Sequence, residues 1–504
     1  MKSKSHVKEN IKLSCINLGL LEVSGLDGDA IIYGHVYSGL NDIVECLKGS
    51  NLDSIKRVLP ECNGSFVIFF KSKKDKLLHV ITDKWASKNI FFGAEMGIFC
   101  DRIKDCLPSN PILNRNAANE FISLYGFLQG DKTLVDGVSK LRPATWYKYN
   151  VESKEMYSEL YWYPRFNYNK NTSKISTKAC LKSAWSSVFD DIEFFCKGKR
   201  IICPISAGLD SRAILAELAR RGLQEYVTTF TFSLPKKFEL NIAIEVATKL
   251  GFKHVHLPIE SDDILDFDNY TKTAEAHDYQ IWNTPYVPPE LHKEMGKYGD
   301  ILLSGFGGDP IMGSHLASSE KPLNEYLFEK YRWLHLQEIK SQPITDIEKL
   351  RESIERESSY YDSGTILTDF DAWYLCERNT NMTQHSVLGY RGQYEIISPF
   401  MDSRIVDAIS DMSPEYRVDR TLFRELMTEL YPSVFYLRSS AYKGKIYESI
   451  FFIERVISVL SRKVFGYSLI EDSFDYKPDL NEQYRKQPKF RELLLNNAGY
   501  LVDK

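Results

Sequence analysis

The alternation of short apolar strands with helical stretches between residues 175 and 305 constrains the fold of this chain most. The runs RIICPIS, YVTTFTFSL, KHVHLPI and DILLSGF each have the length of a strand, and helical patterns such as SRAILAELARRGL and NIAIEVATKLG separate them. This alternation is typical of a parallel, doubly wound sheet. Such sheets bind ligands beyond the carboxyl ends of their strands, so the turns that follow these strands are the first candidates for a functional site.

The residues on either side of this region have different patterns. Up to about residue 165, β-rich runs such as AIIYGHVYS, GSFVIFFKS, KLLHVITDK and TWYKYNV are broken by turn residues. The stretch YWYPRFNYNKNTSK, residues 161–174, is aromatic and then polar and predicts a linker, while the residues after 320 are largely helical in pattern. A chain of 504 residues also exceeds one ordinary core. We therefore predict one domain over 1–165, a second over 175–460 and a helical tail over 461–504.

Composition and charge exclude several classes of function. The net charge of -4 provides no general attraction to nucleic acid or to anionic membranes. No segment reaches the roughly 18 apolar residues of a membrane span, and no apolar run follows the basic N-terminus as in a signal peptide. The 9 cysteines are scattered without a zinc-type spacing, and Cys100 and Cys106 are expected to be reduced thiols. The sequence predicts a cytoplasmic protein that binds neither nucleic acid nor membrane.

The first candidate site is the turn PISAGLDSR. Ser206, Ala207 and Gly208 lie between an apolar strand and a helical pattern, where main-chain N–H groups and the positive end of a helix can bind an anion. The hydroxyls of Ser206 and Ser211 add donors. Asp210 would repel a bare phosphate, so its carboxylate suits a site where Mg²⁺ stands between it and the phosphates. The alternative is that Asp210 caps the helix and the small residues merely permit the turn.

The second candidate site is the turn ILLSGFGGDPIMG. Here too an apolar strand ends in a Ser-Gly step, and two further glycines precede Asp309. Two strand-end turns that each deliver one carboxylate would supply both protein ligands of a metal–pyrophosphate site. Asp210 and Asp309 are therefore the predicted Mg²⁺ ligands.

These residues carry a resemblance to the asparagine synthetase family. SAGLDS resembles the family's SGGxDS pyrophosphatase loop, LSGFGGD its second glycine loop, and YEIISPFMDSRIVDAI its Arg-x-Pro-Phe-Leu-Asp segment. NGSFVIFFKSKKDKLLHVITDKWASKNIFFG is similar to the glutaminase-like domain that comes first in the family. The resemblance follows the family's order over roughly residues 30–445. The family includes β-lactam synthetases and lasso peptide macrolactam synthetases.

The resemblance implies a fold and a reaction. The fold is α/β: an N-terminal Ntn-hydrolase-like α+β sandwich, then a doubly wound parallel-sheet ATP-pyrophosphatase domain with a helical C-terminal part. The reaction uses ATP and Mg²⁺ to convert a carboxylate into an acyl-adenylate and pyrophosphate, after which an amine displaces AMP. By resemblance, the ATP and pyrophosphate contacts are Ile205, Ser206, Ala207, Gly208, Asp210, Ser211, Thr231, Phe232, Ser233, Gly305, Phe306 and Gly307, and the metal ligands are Asp210 and Asp309.

The sequence departs from the family at its first domain and at its second loop. Family glutaminases need a cysteine after the initiator methionine, but position 2 is Lys2, and Cys15 would need processing to become terminal. The first domain is therefore expected to lack glutaminase activity. Phe306 stands where relatives that make small amides or lactams have Glu or Tyr to assist proton removal, and Phe cannot transfer a proton. Tyr394 and Glu395 are candidate substitutes.

The remaining predicted residues lie further along the chain. The family's late lysine, which stabilises the adenylation transition state, corresponds to Lys443 or Lys445 in YLRSSAYKGKIYES; the alternative is that both are solvated surface lysines. Glu377 and Arg378 fall where the family lines its acceptor pocket, although an adjacent helical pair can also be one buried and one exposed residue.

The expected function is an ATP-dependent, AMP-forming ligase that joins a small-molecule or peptide carboxylate to an amine without glutamine. Its pathway would be a specialised one, such as peptide macrolactam formation or the amidation of a sugar acid or natural product, with a possible pathway partner protein. The alternative is a non-catalytic ATP-binding scaffold or partner subunit.

Overall fold

The computed structural model describes residues 4–8, 10–16, 19–49, 52–121, 126–233, 238–258, 267–279, 289–317, 320–336, 347–363, 365–384 and 392–437. Its contacts divide the chain into two units. The first consists of Met1–Lys199, His277–Thr284 and Asp300–Leu426, and the second of Arg200–Ala276, Pro285–Gly299 and Met427–Lys504.

The strands are short and fall mostly in the first half of the chain. They are β1 (Lys4–Lys8), β2 (Ile11–Ile16), β3 (Leu20–Gly25), β4 (Gly28–Ser38), β5 (Asn63–Ser72), β6 (Leu78–Thr82), β7 (Phe91–Gly93), β8 (Ile98–Cys100), β9 (Val138–Lys140), β10 (Thr145–Tyr149), β11 (Met156–Leu160), β12 (Ile201–Pro204), β13 (Val227–Ser233), β14 (Lys253–Pro258), β15 (Ile301–Leu303) and β16 (Glu395–Ile397).

The helices dominate the second half. They are α1 (Leu40–Lys48), α2 (Leu52–Val58), α3 (Arg115–Glu120), α4 (Lys174–Cys196), α5 (Leu209–Arg220), α6 (Phe238–Leu250), α7 (Phe267–Ala276), α8 (Pro289–Met295), α9 (Gly308–Met312), α10 (Leu323–Leu336), α11 (Ile347–Ser358), α12 (Ile366–Trp373), α13 (Ser403–Ser410), α14 (Pro414–Arg417), α15 (Thr421–Leu430) and α16 (Pro432–Phe435). A π-helix, Tyr374–Thr383, continues α12. Short 3₁₀ turns are Leu59–Glu61, Ile103–Asp105, Gln224–Tyr226, Pro399–Met401 and Val418–Arg420.

The N-terminal strands of the first unit form two sheets. One has the order β1-β2-β8-β7-β9 and the other the order β11-β10-β6-β5-β4-β3. Successive side chains of a strand point to opposite faces, and β4 shows how this divides its residues. Ile31 and Tyr33 join a core that also contains residues of β2, β7 and β8 from the other sheet, whereas Ala30 and Ile32 join a core with α1 and α2. The result is a two-sheet sandwich with helices on one outer face.

The second half of the first unit is mainly helical. It contains α9 to α14, the first part of α15 and the parallel strand pair β15 and β16. Its helices pack against the N-terminal half of the same unit. For example, Arg404 of α13 donates a 2.9 Å hydrogen bond from Nη1 to Ser187 Oγ in α4.

The second unit contains a parallel arrangement of three strands in the order β14-β13-β12. In the sequence, α5 follows β12 and α6 follows β13, so each strand is followed by a helix. Most of the buried side chains of α5 are small or branched apolar ones, among them Ala213, Ile214 and Leu218. This is the strand–helix alternation that the sequence predicts.

The structure confirms a mixed α/β fold with parallel and antiparallel sheets and a helical later part, and it confirms the strand runs around β4, β5, β6 and β10. The Ntn-like nature of the first domain stays a prediction, and so do the predicted domain boundaries. The predicted linker is packed: Tyr161 donates a 2.8 Å hydrogen bond from its hydroxyl to Thr82 O. Cys100 and Cys106 are both free thiols. None of the helices in the described ranges combines the length and apolar content needed to cross a membrane.

Candidate functional site

The turn PISAGLDSR in the second unit connects β12 to α5. Gly208 occupies the position just before the helix, and no side chain caps the helix there. Asp210 lies inside the first turn of α5, so the alternative that Asp210 is the helix cap is wrong. A carboxylate at this place still interacts favourably with the positive end of the helix.

Hydrogen bonds inside this turn use some of the donors that the sequence analysis offered to a phosphate. Gly208 N donates to Ser206 Oγ at 3.1 Å, and Ser206 N points to Ser211 Oγ at a long 3.4 Å. Ser206 is exposed and Asp210 is half-buried. The exposed Ser206 hydroxyl and the first N–H groups of α5, which have no partner within the helix, remain for an anion.

Of the predicted adenosine contacts, Ile205 directly follows β12, and Thr231, Phe232 and Ser233 lie on the neighbouring strand β13. Ile205 N donates to Phe230 O at 2.9 Å, and Thr231 Oγ1 donates to Ile205 O at 2.6 Å. The structure thus uses the Ile205 main chain and the Thr231 hydroxyl to attach the turn to β13. Phe232 is half-buried, and the side chain of Ser233 lies outside the described residues. Nucleotide contacts at these positions stay predictions.

Arg212 supports the first turn and was missed by the sequence analysis. Its guanidinium is fully buried. Nη2 donates to Ala207 O at 3.3 Å, and Nη1 donates to Val434 O at 3.0 Å and Leu437 O at 3.1 Å. The signal available in the sequence was an arginine on the otherwise apolar face of the helix. A buried guanidinium that binds main-chain carbonyls fixes the turn and its carbonyls in place.

The second turn, in the first unit, is held by one hydrogen bond to β16 and one within the turn itself. Ser304 N donates to Ile397 O at 2.8 Å, and Phe306 N donates to Ser304 Oγ at 3.3 Å. Gly307 has a left-handed φ of 78° and precedes α9. A Cβ at this position would lie 2.2 Å from Met401 Sδ, so both the φ angle and the close approach require glycine.

Asp309, the predicted metal ligand of this turn, already has a cationic neighbour. Arg420 Nη1 and Ser314 Oγ donate to Asp309 Oδ1 at 2.6 and 3.1 Å. Among the described residues, every hydrogen bond to this carboxylate is made to Oδ1, so Oδ2 is available to a metal. The Asp309 side chain is 57% exposed. Mg²⁺ commonly keeps several waters and takes only one or two protein carboxylates, so an oxygen of this kind fits it.

No larger metal cluster is found: in the described ranges, no three His, Cys, Asp or Glu side chains are grouped to hold an ion. His254, one of two neighbouring histidines on β14, instead shares a 2.9 Å hydrogen bond between Nδ1 and Thr229 Oγ1. Asp210 and Asp309 belong to different units, and their joint binding of Mg²⁺ stays a prediction.

Arg417 also supports the second turn. Apart from its charge, nothing in the sequence pattern indicated this role. Nη2 donates to Pro310 O at 2.9 Å and Ile311 O at 3.0 Å, and Nη1 donates to Asp371 Oδ2 at 2.6 Å. Both charged side chains are buried. Burial lowers the pKa of Arg417 to about 9 and raises the pKa of Asp371 well above its usual value. This pair holds α9, and hence Asp309, in place.

A cavity of ≈ 70 Å³ lies within the first unit. Its walls come from β4, from the turn at residues 83–89, from the π-helix and from residues 392–401. Phe306, Tyr394 and Glu395 all line it, so the structure brings together the residue that cannot transfer a proton and its two proposed substitutes. His35 and Lys88 line it as well, although no sequence pattern pointed to either, because both lie far from the glycine loops in the sequence.

Glu395 is buried and anchored in this cavity. Lys88 Nζ donates to Glu395 Oε2 at 2.6 Å, and His35 Nδ1 lies 3.0 Å from the same oxygen. Burial alone would raise the pKa of Glu395, but Lys88 and His35 together hold it well below its usual value. A carboxylate that stays ionised in this way is a weak base.

Glu377 and Arg378 do not line the cavity. Glu377 is buried and accepts hydrogen bonds of 2.7 Å from Gly130 N and from the Tyr361 hydroxyl. Arg378 bonds the hydroxyl of Tyr374. The structure therefore shows structural contacts for Glu377, and its assignment to an acceptor pocket stays a prediction. Lys443 and Lys445 lie outside the described residues.

Comparison with known protein families shows which family this part of the chain belongs to. Residues 198–442 match the family model described as asparagine synthase, and this segment includes both turns. Over this segment the chain is an asparagine synthetase-like protein. A comparison with curated protein sequences gives no match. Among solved structures, this asparagine synthetase-like chain is similar to the NMN synthetase from Francisella tularensis, with 12% identity, a TM-score of 0.22, and coverage of 42% of this chain and 96% of that one.

Proposed function

We propose that this asparagine synthetase-like chain is an ATP-dependent ligase that forms an amide bond through an acyl-adenylate. The match of residues 198–442 to the asparagine synthase family carries the proposal. Further support comes from the two turns, since both are strand-to-helix turns with an aspartate in the first helical turn. Parallel-sheet proteins commonly place their ligands at such strand ends.

The roles of the residues follow from their positions. The Ser206 hydroxyl and the N-terminal end of α5 would bind the pyrophosphate as it leaves, with Arg212 keeping the turn in shape. From the sequence we assign Mg²⁺ to Asp210 and Asp309, where it would neutralise negative charge on the phosphates. The exposed Oδ2 of Asp309 supports that assignment, and Arg420 orients the carboxylate through Oδ1.

We further propose that the ligase uses its amine directly and does not release ammonia from glutamine. Cys62, which lines the cavity, is no substitute for the family's nucleophile, because burial raises the pKa of its thiol to about 12 and a protonated thiol is a poor nucleophile. The acceptor would be a small-molecule or peptide amine. A peptide carboxylate would give a macrolactam, whereas a sugar acid or a natural-product acid would give an amide. The pathway would include a partner protein.

Pyrophosphate exchange tests the adenylation half of this proposal. Full-length protein, ATP, Mg²⁺ and labelled pyrophosphate are incubated with a panel of peptide, sugar and amino-acid carboxylates. We expect label to enter ATP with at least one acid, and we expect Asp210→Asn to reduce the rate by about 100-fold or more because a group that stabilises developing charge is lost. Glu225→Gln, which changes an exposed carboxylate of the same unit, is the matched control.

A non-catalytic ATP-binding scaffold is the second candidate function. The ion pair between Arg420 and Asp309 favours it, because a side chain can occupy the place of a metal in a protein that has lost catalysis. Calorimetry separates the two candidates. ATP binding in the wild-type protein without exchange for any acid would establish the scaffold and contradict the ligase.

A further inference from the structure

The cavity of the first unit collects polar atoms that lack partners. Among the described residues, four buried side-chain nitrogen and oxygen atoms that line this one cavity have no hydrogen-bond partner. They are His35 Nε2, Asn89 Nδ2, Asn379 Oδ1 and Gln384 Oε1. Buried polar atoms are normally paired, so a concentration of unpaired ones around a cavity indicates a polar occupant.

The hydrogen bond between His35 and Glu395 fixes which nitrogen of the imidazole carries the proton. Glu395 stays ionised and can only accept, so His35 must donate to it through Nδ1–H across the 3.0 Å contact. In a neutral imidazole the other nitrogen, Nε2, then has a free lone pair. That nitrogen is the one without a partner, and the His35 residue is only 5% exposed.

The surroundings of His35 disfavour the charged form of its ring. Burial is the largest influence on the pKa of His35 and lowers it. The nearby charges of Lys88 and Lys199 lower this pKa further, whereas the hydrogen bond and the charge of Glu395 raise it. The ring also packs against Phe195 of α4 at 5.3 Å between centroids. His35 is thus an imidazole oriented by a carboxylate with its basic nitrogen facing a polar cavity, an arrangement that suits a general base.

We propose that His35 accepts the proton of the amine that this ligase joins to its activated carboxylate, and that the cavity receives that amine group. This inference rests on the proposed ligase function and names its proton acceptor. Phe306 lines the same cavity and cannot take a proton, whereas His35 can. The unpaired atoms of His35, Asn379 and Gln384 can all accept hydrogen bonds, and an amino group is a donor that matches them.

The size of the cavity suits this occupant. Its ≈ 70 Å³ is several times the roughly 10–15 Å³ that one water requires. Ammonia, a small primary amine or the amino end of a larger substrate would fit. Asn379 lies on the π-helix, an irregular helix type that is frequent at functional sites.

The chemical step balances without any further reactant. The amine nitrogen attacks the carbonyl carbon of the acyl-adenylate and forms the C–N bond. The bond from that carbon to the phosphate oxygen of AMP breaks, and AMP leaves with the electron pair. The proton that the nitrogen loses passes to His35 Nε2 and from there to water. Glu395 is a positioning residue in this step, because it holds the ring through Nδ1.

Nitrogen NMR on the full-length protein with labelled histidine tests the proposal without knowledge of the carboxylate substrate. The His35 signals are identified by their loss in His35→Gln. At pH 7 we expect the neutral Nδ1–H tautomer, a loss of that preference in Glu395→Gln, and a change of the Nε2 signal on addition of ammonium or methylammonium chloride but not potassium chloride. A charged ring, the Nε2–H tautomer, or no response to either amine would overturn the proposal.

The two half-reactions give a second, independent test once an exchanging acid is known. We expect His35→Gln to leave pyrophosphate exchange within about twofold of wild type and to lower amide formation by about 100-fold or more. Hydroxylamine, which is largely unprotonated at pH 7, should restore acyl transfer in the variant, with a hydroxamate as the product. His254→Gln is the matched control, since His254 also has a paired Nδ1 and an unpartnered buried Nε2.

The possible failures are distinguishable. Absence of exchange in the wild type contradicts the ligase and leaves the NMR result to decide whether His35 binds an amine. Normal exchange together with normal amide formation in His35→Gln contradicts the role of His35 and leaves the ligase intact.

Discussion

Lys84 is a buried cation in the wall of the cavity. It donates to Ser403 Oγ at 2.6 Å and lies 3.3 Å from Asn63 Oδ1, and among the described residues no carboxylate oxygen is within ion-pair distance. Burial lowers its pKa to about 8, while more distant acids such as Asp402 oppose that change. The folded protein therefore retains this ammonium group at a cost in stability.

The cost predicts a pH dependence of stability. Between pH 8 and 10.5 the unfolded chain holds the Lys84 proton and the folded chain releases it, so the free energy of unfolding should rise with pH in this window. We expect Lys84→Met to remove about 3 kcal/mol of that rise. Urea unfolding at several pH values measures it. The exposed Lys182→Met should keep the full rise, and an unchanged rise in Lys84→Met would contradict the prediction.

At the scale of elements, the second turn depends on contacts from outside it. Met401 lies against Gly307, and the guanidinium of Arg417 binds two carbonyls of α9. The helix itself has only five residues, too few to be stable by its own hydrogen bonds. The position of Asp309 is therefore set by packing around α9.

Alanine at Gly307 tests this dependence. A left-handed φ costs a non-glycine residue about 1–2 kcal/mol, and the Cβ would in addition overlap Met401 Sδ. We expect Gly307→Ala to lower the free energy of unfolding by about 1–3 kcal/mol more than Gly137→Ala, which has a similar φ of +76° and no atom within 4 Å of its Cβ. Chemical denaturation compares the two. Equal losses would show that Met401 moves aside without cost.

At the scale of the whole molecule, the first unit combines distant parts of the sequence. Residues 1–199 and 300–426 share buried hydrogen bonds that neither part can make alone. They include Trp85 Nε1 to Met401 O, Gly130 N to Glu377 Oε2, Lys140 Nζ to Asn381 Oδ1, Trp373 Nε1 to Gln129 Oε1 and Ser403 N to Asn63 Oδ1.

These bonds predict the behaviour of the N-terminal segment on its own. Residues 1–165 expressed alone would lose all of them, and at about 1 kcal/mol for each net hydrogen bond the fragment should be about 5 kcal/mol less stable than in the full chain. Hydrogen exchange of the β4 and β5 amides measures this difference. Co-expression of residues 166–504 should restore protection. Equal protection in the isolated fragment would contradict the prediction.

The strand-to-helix turns and the mixed α/β fold could be predicted from the sequence, because they depend on local patterns: an apolar run, small turn residues, then helical periodicity. The absence of a usable base at Phe306 was visible for the same reason. The buried roles of Arg212 and Arg417 could not be predicted from the sequence. An arginine that binds main-chain carbonyls and an arginine in water have the same one-letter code and no distinguishing local pattern.

The cavity was decided only by tertiary structure. His35 and Lys88 come from the N-terminal sandwich, and Glu395 follows them by 360 and 307 positions. No local pattern connects them, and whether an imidazole is a buried packing residue or a base depends on which partner takes its Nδ1 proton. Sequence patterns determine where strands, helices and turns form, since these depend on neighbours along the chain. Folding determines which distant side chains share one buried cavity, and that shared environment sets their hydrogen bonds and pKa values.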